Sequence, residues 1–109
     1  MVNTMEDMAS RMNDAANEAA DMMKALGNPG RLRLLCALVP GHKTVGELED
    51  AVGASQSYVS GQLLKLRAEG LVECTRDGRS MTYRLSDPRV RPLLETIYDL
   101  YCPETESDR

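Results

Sequence analysis

The sequence has no tryptophan, no phenylalanine and one histidine, His42. Without the two most apolar rings, aromatic packing falls to four tyrosines, Tyr58, Tyr83, Tyr98 and Tyr101. Cysteine is scarce too: Cys36, Cys74 and Cys102 are too few and odd in number for a secreted disulfide scaffold. The longest apolar run, Leu34 to Val39, has six residues, far short of a membrane span. The start carries Glu6 and Asp7 where a secretory signal needs bases and then an apolar stretch. A cytoplasmic location is therefore expected, with no membrane partner. No excess of positive charge exists either, since 13 basic against 17 acidic residues give −4, which taken whole argues against nucleic acid. No grouping of base, nucleophile and oxyanion donors and no cofactor loop is visible, so no enzyme is expected.

What is present is 109 residues, 42% hydrophobic and 28% charged, the profile of one small globular domain spanning 1–109. So short a chain buries little surface alone, and a second copy would suit it. Its charge is segregated. Residues 1–30 sum to −3, 31–53 to zero, 54–91 to +3 and 92–109 to −4. One basic segment lies between acidic ends.

Hydrophobic spacing orders the elements. Met5, Met8, Met12, Ala15 or Ala16, Ala19, Met22 or Met23 and Leu26 recur in steps of three and four, predicting an amphipathic helix over 4–26 with a narrow seam. Such a methionine-rich seam at the end of a small chain suits packing on another subunit. Gly27-Asn28-Pro29 stops it, and Asn28 caps a second helix that runs from Arg31 through Val39 to Pro40-Gly41. After the His42-Lys43 loop a short helix, Val45 to Val52, ends at Gly53, and another begins behind Ser55 and runs to Glu69 before Gly70. Two helices joined by about three residues including glycine have the dimensions of a helix-turn-helix, here 45–69. Leu71 to Thr75 and Ser80 to Leu85 read as strands of a hairpin over 71–85, with Asp77-Gly78 central to the turn Arg76 to Arg79. Pro88 opens a last helix over 88–102, Pro103 ends it, and the acidic tail from Glu104 is expected to fray. The expected class is mainly α (α+β): a winged helix-turn-helix with an added dimerisation helix at each end.

On the helix behind Ser55, Val59, Leu63 and Leu66 share one face at 100° per residue. Ser57, Tyr58, Gly61 and Lys65 lie roughly opposite, with Gln56, Ser60 and Gln62 on the flanks. Recognition helices put such polar N-terminal residues to base edges and phosphates in the major groove. Gly61 in mid-helix costs about 1 kcal/mol relative to alanine, a cost that makes sense if the backbone approaches something closely. Arg76 and Arg79 at the hairpin tip would reach phosphate or the minor groove. Operator DNA is the partner these residues point to.

The stretch Ser55-Gln-Ser-Tyr-Val-Ser-Gly-Gln-Leu-Leu-Lys-Leu-Arg-Ala-Glu-Gly-Leu-Val72 resembles the recognition-helix signature of the ArsR/SmtB family of bacterial repressors. Arg76-Asp-Gly-Arg-Ser-Met-Thr-Tyr-Arg-Leu85 resembles that family's wing, and Leu26-Gly-Asn-Pro-Gly-Arg-Leu-Arg-Leu-Leu35 the opening of its second helix. The resemblance spans about residues 22–103. It implies a homodimer, paired through its first and last helices, that represses transcription until an inducer releases it. It also implies DNA contacts at Gln56, Ser57 and Ser60. The position of Gly61 is often His or Gln in the family, so this chain has one base-reading side chain fewer.

Many relatives of this kind bind metals. One of their sites needs a Cys-Val-Cys whose cysteines fall at Thr44 and Gly46 here, and another needs Asp and His ligands on the last helix, whereas His42 lies in a loop. Zinc takes three or four N, S or O ligands, so no metal or cofactor is expected. Taken alone, Cys36 reads as a small buried core residue. With Cys102 and the ending Tyr98-Asp-Leu-Tyr-Cys102-Pro103, however, it resembles the family's persulfide-sensing branch, called SqrR or BigR. That resemblance implies that Cys36 and Cys102 become bridged by added sulfur in response to reactive sulfur species, derepressing sulfide-detoxification genes. Neither cysteine is helped by a helix dipole. Cys74 receives no role. Two further readings stay open: a general thiol-disulfide or peroxide-sensing repressor of the same fold, and a protein-interaction module that binds no DNA.

Overall fold

Asn28 shows how the chain is punctuated, since its Oδ1 accepts the Arg31 amide at 3.1 Å and starts a helix that has proline at its first position. The structure is a computed structural model and describes residues 4–102. Pro103 and the acidic tail, expected to end and follow the last helix, lie outside the described residues. Helix α1 spans Thr4–Leu26 and α2 Pro29–Ala37; β1 is Lys43–Thr44, α3 Val45–Val52 and α4 Gln56–Ala68; β2 is Val72–Asp77, β3 Ser80–Leu85 and α5 Val90–Tyr101. Residues up to Leu32 and residues from Arg33 onward form two compact units.

In the first unit, Met22, Ala25 and Leu26 are buried, whereas Met5, Met8, Met12 and Met23 stay exposed. The expected seam therefore exists, and most of it faces outward.

In the second unit the core is aliphatic, as the lack of large rings requires. Leu34, Leu35, Leu38, Leu48, Val59, Leu63, Leu66, Val90 and Leu94 are at most 1% exposed. Helix α3 starts with a capping box: Thr44 Oγ1 accepts the Glu47 amide at 3.1 Å and Glu47 Oε1 accepts the Thr44 amide at 2.8 Å. Gly53, at φ 65°, ends it. Ser55 Oγ then accepts the Tyr58 amide at 3.2 Å and starts α4. At the far end of α4, Leu71 N donates to Leu66 O and Gly70 N to Arg67 O, each at 3.0 Å. With Gly70 at φ 78°, this is a Schellman stop.

The sheet is antiparallel in the order β1-β3-β2. Three boundaries differ from those expected on sequence. Helix α2 stops at Ala37, because Pro40 offers no amide and the chain tightens into i→i−3 bonds from Leu38 to Leu35 and Val39 to Cys36. The wing extends to an Asp77–Ser80 pair, which leaves Gly78-Arg79 as a two-residue turn. Gly78 has φ 65° and no non-glycine residue among those described has positive φ, so the turn has the sign pattern of type II′ rather than an Asp-Gly type I′. Helix α5 begins at Val90, because Asp87 Oδ1 takes the Arg89 amide at 2.9 Å and holds Pro88 in a turn.

Candidate nucleic-acid interface and thiol site

Helix α4 buries Val59, Leu63 and Leu66 and thereby turns Gln56, Ser57, Tyr58, Gly61 and Lys65 to the exterior, where all are exposed. Ser60 and Gln62 are half-buried. The Oε1 of Gln62 is buried without a hydrogen-bond partner among the described residues, so that oxygen faces inward. A Cβ built on Gly61 would meet nothing within 4 Å. Nothing among the described residues, then, requires glycine there.

Arg76 and Arg79 are exposed at the end of the wing. Charge in this segment divides by partner. Arg84 Nε pairs across the strands with Glu73 at 2.9 Å, Arg89 pairs with Asp87 at 2.8 Å, and Arg91 donates to the Val39 carbonyl. The Asp87 carboxyl is held below its ordinary range by hydrogen bonds from Arg89. Among the described residues Lys65, Arg76 and Arg79 form no ion pair, and they lie in the segment that carries the +3 excess. Their placement beside an exposed polar helix face suits contacts with a phosphate backbone.

Cys36 is not the buried core residue that its helix position suggested. It is exposed, as is Cys102, because Leu34, Leu35 and Leu38 take the buried directions around it. Two elements meet at it. Cys36, Val39 and Pro40 from the end of α2 face Leu94, Glu95, Tyr98 and Asp99 of α5 across a cleft of about 510 Å³. Burial against these walls is the larger cause that pushes the Cys36 thiol up, and the charge of Cys102 adds to it. The fold thus brings two cysteines 66 positions apart into electrostatic range. Tyr98 and Asp99 each stand three or four residues from both Glu95 and Cys102, so one face of α5 carries all four. That spacing was readable in the sequence, but the Val39 and Pro40 walls opposite it were not. Cys74 lies directly across from Tyr83 in the wing. Burial, and then a hydrogen bond with Cys74, push the Tyr83 phenol up.

An aliphatic core, a helix-turn-helix with its polar face outward and a three-stranded sheet whose hairpin carries exposed arginines define a winged helix-turn-helix protein. Comparison with known proteins narrows the class. The family described as bacterial regulatory protein, arsR family, matches residues 28–73. The biofilm growth-associated repressor of Xylella fastidiosa is 41% identical over 101 residues, 93% of this chain and 85% of that protein. The crystal structure of the transcriptional repressor BigR from Xylella fastidiosa superposes with a TM-score of 0.81 at 39% identity, covering 94% of this chain and 100% of that one. The homodimeric winged helix-turn-helix DNA-binding domain Mb0332 from Mycobacterium bovis, a possible ArsR-family regulator, gives 0.69 at 30% identity, with 83% of each chain covered. The chain belongs to the arsR family of bacterial regulatory proteins: it is a DNA-binding transcriptional regulator, not an enzyme.

Proposed function

We propose that the protein is a cytoplasmic, homodimeric repressor that senses reactive sulfur species through Cys36 and Cys102 and leaves its operator when the two are bridged. The observation that carries this reading is the α2–α5 cleft at Cys36, with Cys102 at the end of α5 near enough for its charge to push the Cys36 thiol up. Similarity to a repressor supports the direction of control. The homodimeric neighbour and the exposed apolar residues of α1 and α5 support two copies. No helix among the described residues is long and apolar enough to cross a membrane.

The chemistry balances with two persulfide molecules. Each cysteine thiolate attacks the outer sulfur of a persulfide, an Sγ–S bond forms, and the donor's S–S bond breaks to release a thiol. The persulfide anion on one cysteine then attacks the inner sulfur of the other and expels hydrosulfide, leaving a trisulfide. The protein sulfurs are oxidised and the donor sulfurs reduced. A bridge with an added sulfur spans a gap too wide for a disulfide, whose Cβ atoms must approach to about 3.5–4.5 Å.

In the DNA complex, Gln56, Ser57, Tyr58, Ser60 and Lys65 of α4 enter the major groove, Gln62 lies on the flank with its oxygen turned inward, and Arg76 and Arg79 hold the flanking backbone. The test is intact-mass measurement after a persulfide donor and after peroxide, alongside binding to the upstream DNA of its own gene. A product that gains sulfur and loses affinity is expected, and Cys36→Ser and Cys102→Ser should stay bound. Release of both serine variants by the donor would remove the dithiol mechanism. A plain disulfide formed by peroxide, with equal release, would replace sulfur sensing by general oxidant sensing.

A further inference from the structure

The cleft beside Cys36 has a volume of about 510 Å³, within the roughly 300–1,000 Å³ typical of small-molecule sites. Bridging two thiols does not by itself require such space. Val39, Pro40 and Leu94 make part of its wall apolar, and the charged side chains that line it are Glu95 and Asp99, both acidic. Arg91, one turn before Glu95, gives its guanidinium to the Val39 carbonyl and does not line the cleft.

We infer that this cleft docks the carrier half of the reagent that reacts at Cys36, and that Glu95 and Asp99 select neutral or amine-bearing carriers over carboxylate-bearing ones. The inference rests on Cys36 being a reacting thiol of the sensor proposed above. In the transfer step Cys36 Sγ bonds to the outer sulfur, the S–S bond to the carrier breaks, and the carrier departs as a thiolate that takes up a proton. Cys36 is oxidised and the carrier sulfur reduced. Both the docked carrier and the departing thiolate sit beside two carboxylates. An anionic carrier is repelled at each stage, whereas an ammonium group on the carrier is attracted.

The test compares iodoacetamide with iodoacetate, reagents of similar size that differ by one negative charge. The reduced full chain is alkylated, and Cys36 is followed by peptide mapping. The ratio of the two rates cancels the thiolate fraction, so a change in Cys36 acidity does not move it. Relative to a neutral free thiol such as 2-mercaptoethanol, the ratio at Cys36 should favour iodoacetamide by about tenfold. It should fall towards the free-thiol value in Glu95→Gln/Asp99→Asn, part way in Glu95→Gln alone, and at 1 M salt. Cysteamine persulfide should likewise transfer sulfur faster than glutathione persulfide. A free-thiol ratio at Cys36 in the native protein, or a native ratio kept by the double variant, overturns the inference. Failure of the cleft and failure of the sensor give different results. Charge-selective alkylation without a bridged product from either persulfide supports the cleft and removes the sensor. Equal bridging by both persulfides supports the sensor and overturns the selection.

Discussion

Cys36 carries two opposing demands at the scale of a single atom. Its walls and the neighbouring Cys102 both disfavour the thiolate, yet the thiolate is the form that attacks. Because the pKa is raised, its reaction rate should go on climbing with pH beyond the ordinary thiol midpoint of about 8.5. Cys102→Ser removes the smaller cause, so the midpoint should move part way down while burial keeps it elevated. A pH series of iodoacetamide rates at Cys36 checks this, and a midpoint at or below that of a free thiol would contradict it. Gly61 poses the complementary question. Its Cβ position is open, so Gly61→Ala should raise stability by about 0.5–1 kcal/mol through helix propensity. If the backbone meets DNA there, the same methyl should weaken operator binding. Urea unfolding and DNA titration on one preparation read both effects, and a stabilised variant with unchanged affinity would remove Gly61 from the interface.

Among the elements, the first helix of the helix-turn-helix depends on Thr44. Its hydroxyl caps α3, its amide is taken by Glu47, and it pairs with Thr82 in the sheet. Thr44→Ala should cost about 1 kcal/mol, read as a lower urea midpoint with an unchanged slope. The helices were legible in the sequence because their caps are local: Asn28, Ser55, Gly53 and Gly70 each act within a few residues of themselves. Strand β1 was not, since two residues carry no period and Lys43 and Thr44 become a strand only through Tyr83 and Thr82, about forty positions away. The same limit applied to the thiol site. Cysteine, tyrosine and carboxylate spacing along α5 lies in the sequence, but the partial cover that α5 gives Cys36 is a tertiary fact. Resemblance to a sensing branch singled out the pair, and packing supplied its surroundings.

Across the whole molecule the initial scarcity of positive charge changes meaning. The net −4 is a difference between ends and middle, and the +3 falls on the helix-turn-helix, the wing and the start of α5. Three of those bases are committed internally, through Glu73, Asp87 and the Val39 carbonyl, and a fourth, Arg67, lies near the Tyr83 phenol. Lys65, Arg76 and Arg79 remain for phosphate contacts. Each neutralised phosphate contributes close to one unit to the slope of log affinity against log salt. Arg76→Gln and Arg79→Gln should therefore each lower that slope by about 1, with similar weakening on specific and random DNA. Weakening confined to the operator would instead make these arginines readers of sequence.

Apolar surface adds a second requirement at the same scale. Met5 is 73% exposed, Leu100 72% and Tyr101 78%, although exposed stripes of this kind usually mark contact surfaces. A chain of 109 residues has little core in reserve, so covering these stripes with a second copy should contribute to folding itself. If the proposed pairing holds, stability becomes a function of concentration, because the unfolded chain is monomeric and the proposed folded form is a pair. Each tenfold rise in protein should add about 1.4 kcal/mol per dimer, and the thermal midpoint should climb with it. Leu100→Glu places a charge where the apolar stripe would be covered, so it should abolish that dependence and lower the midpoint. Operator affinity should fall with it, since a lone subunit holds one recognition helix and forfeits the second half-site about 34 Å away. Calorimetry across two decades of concentration decides the matter. A midpoint independent of concentration in the native protein, with sedimentation as a monomer, would leave these stripes without a second copy to cover them.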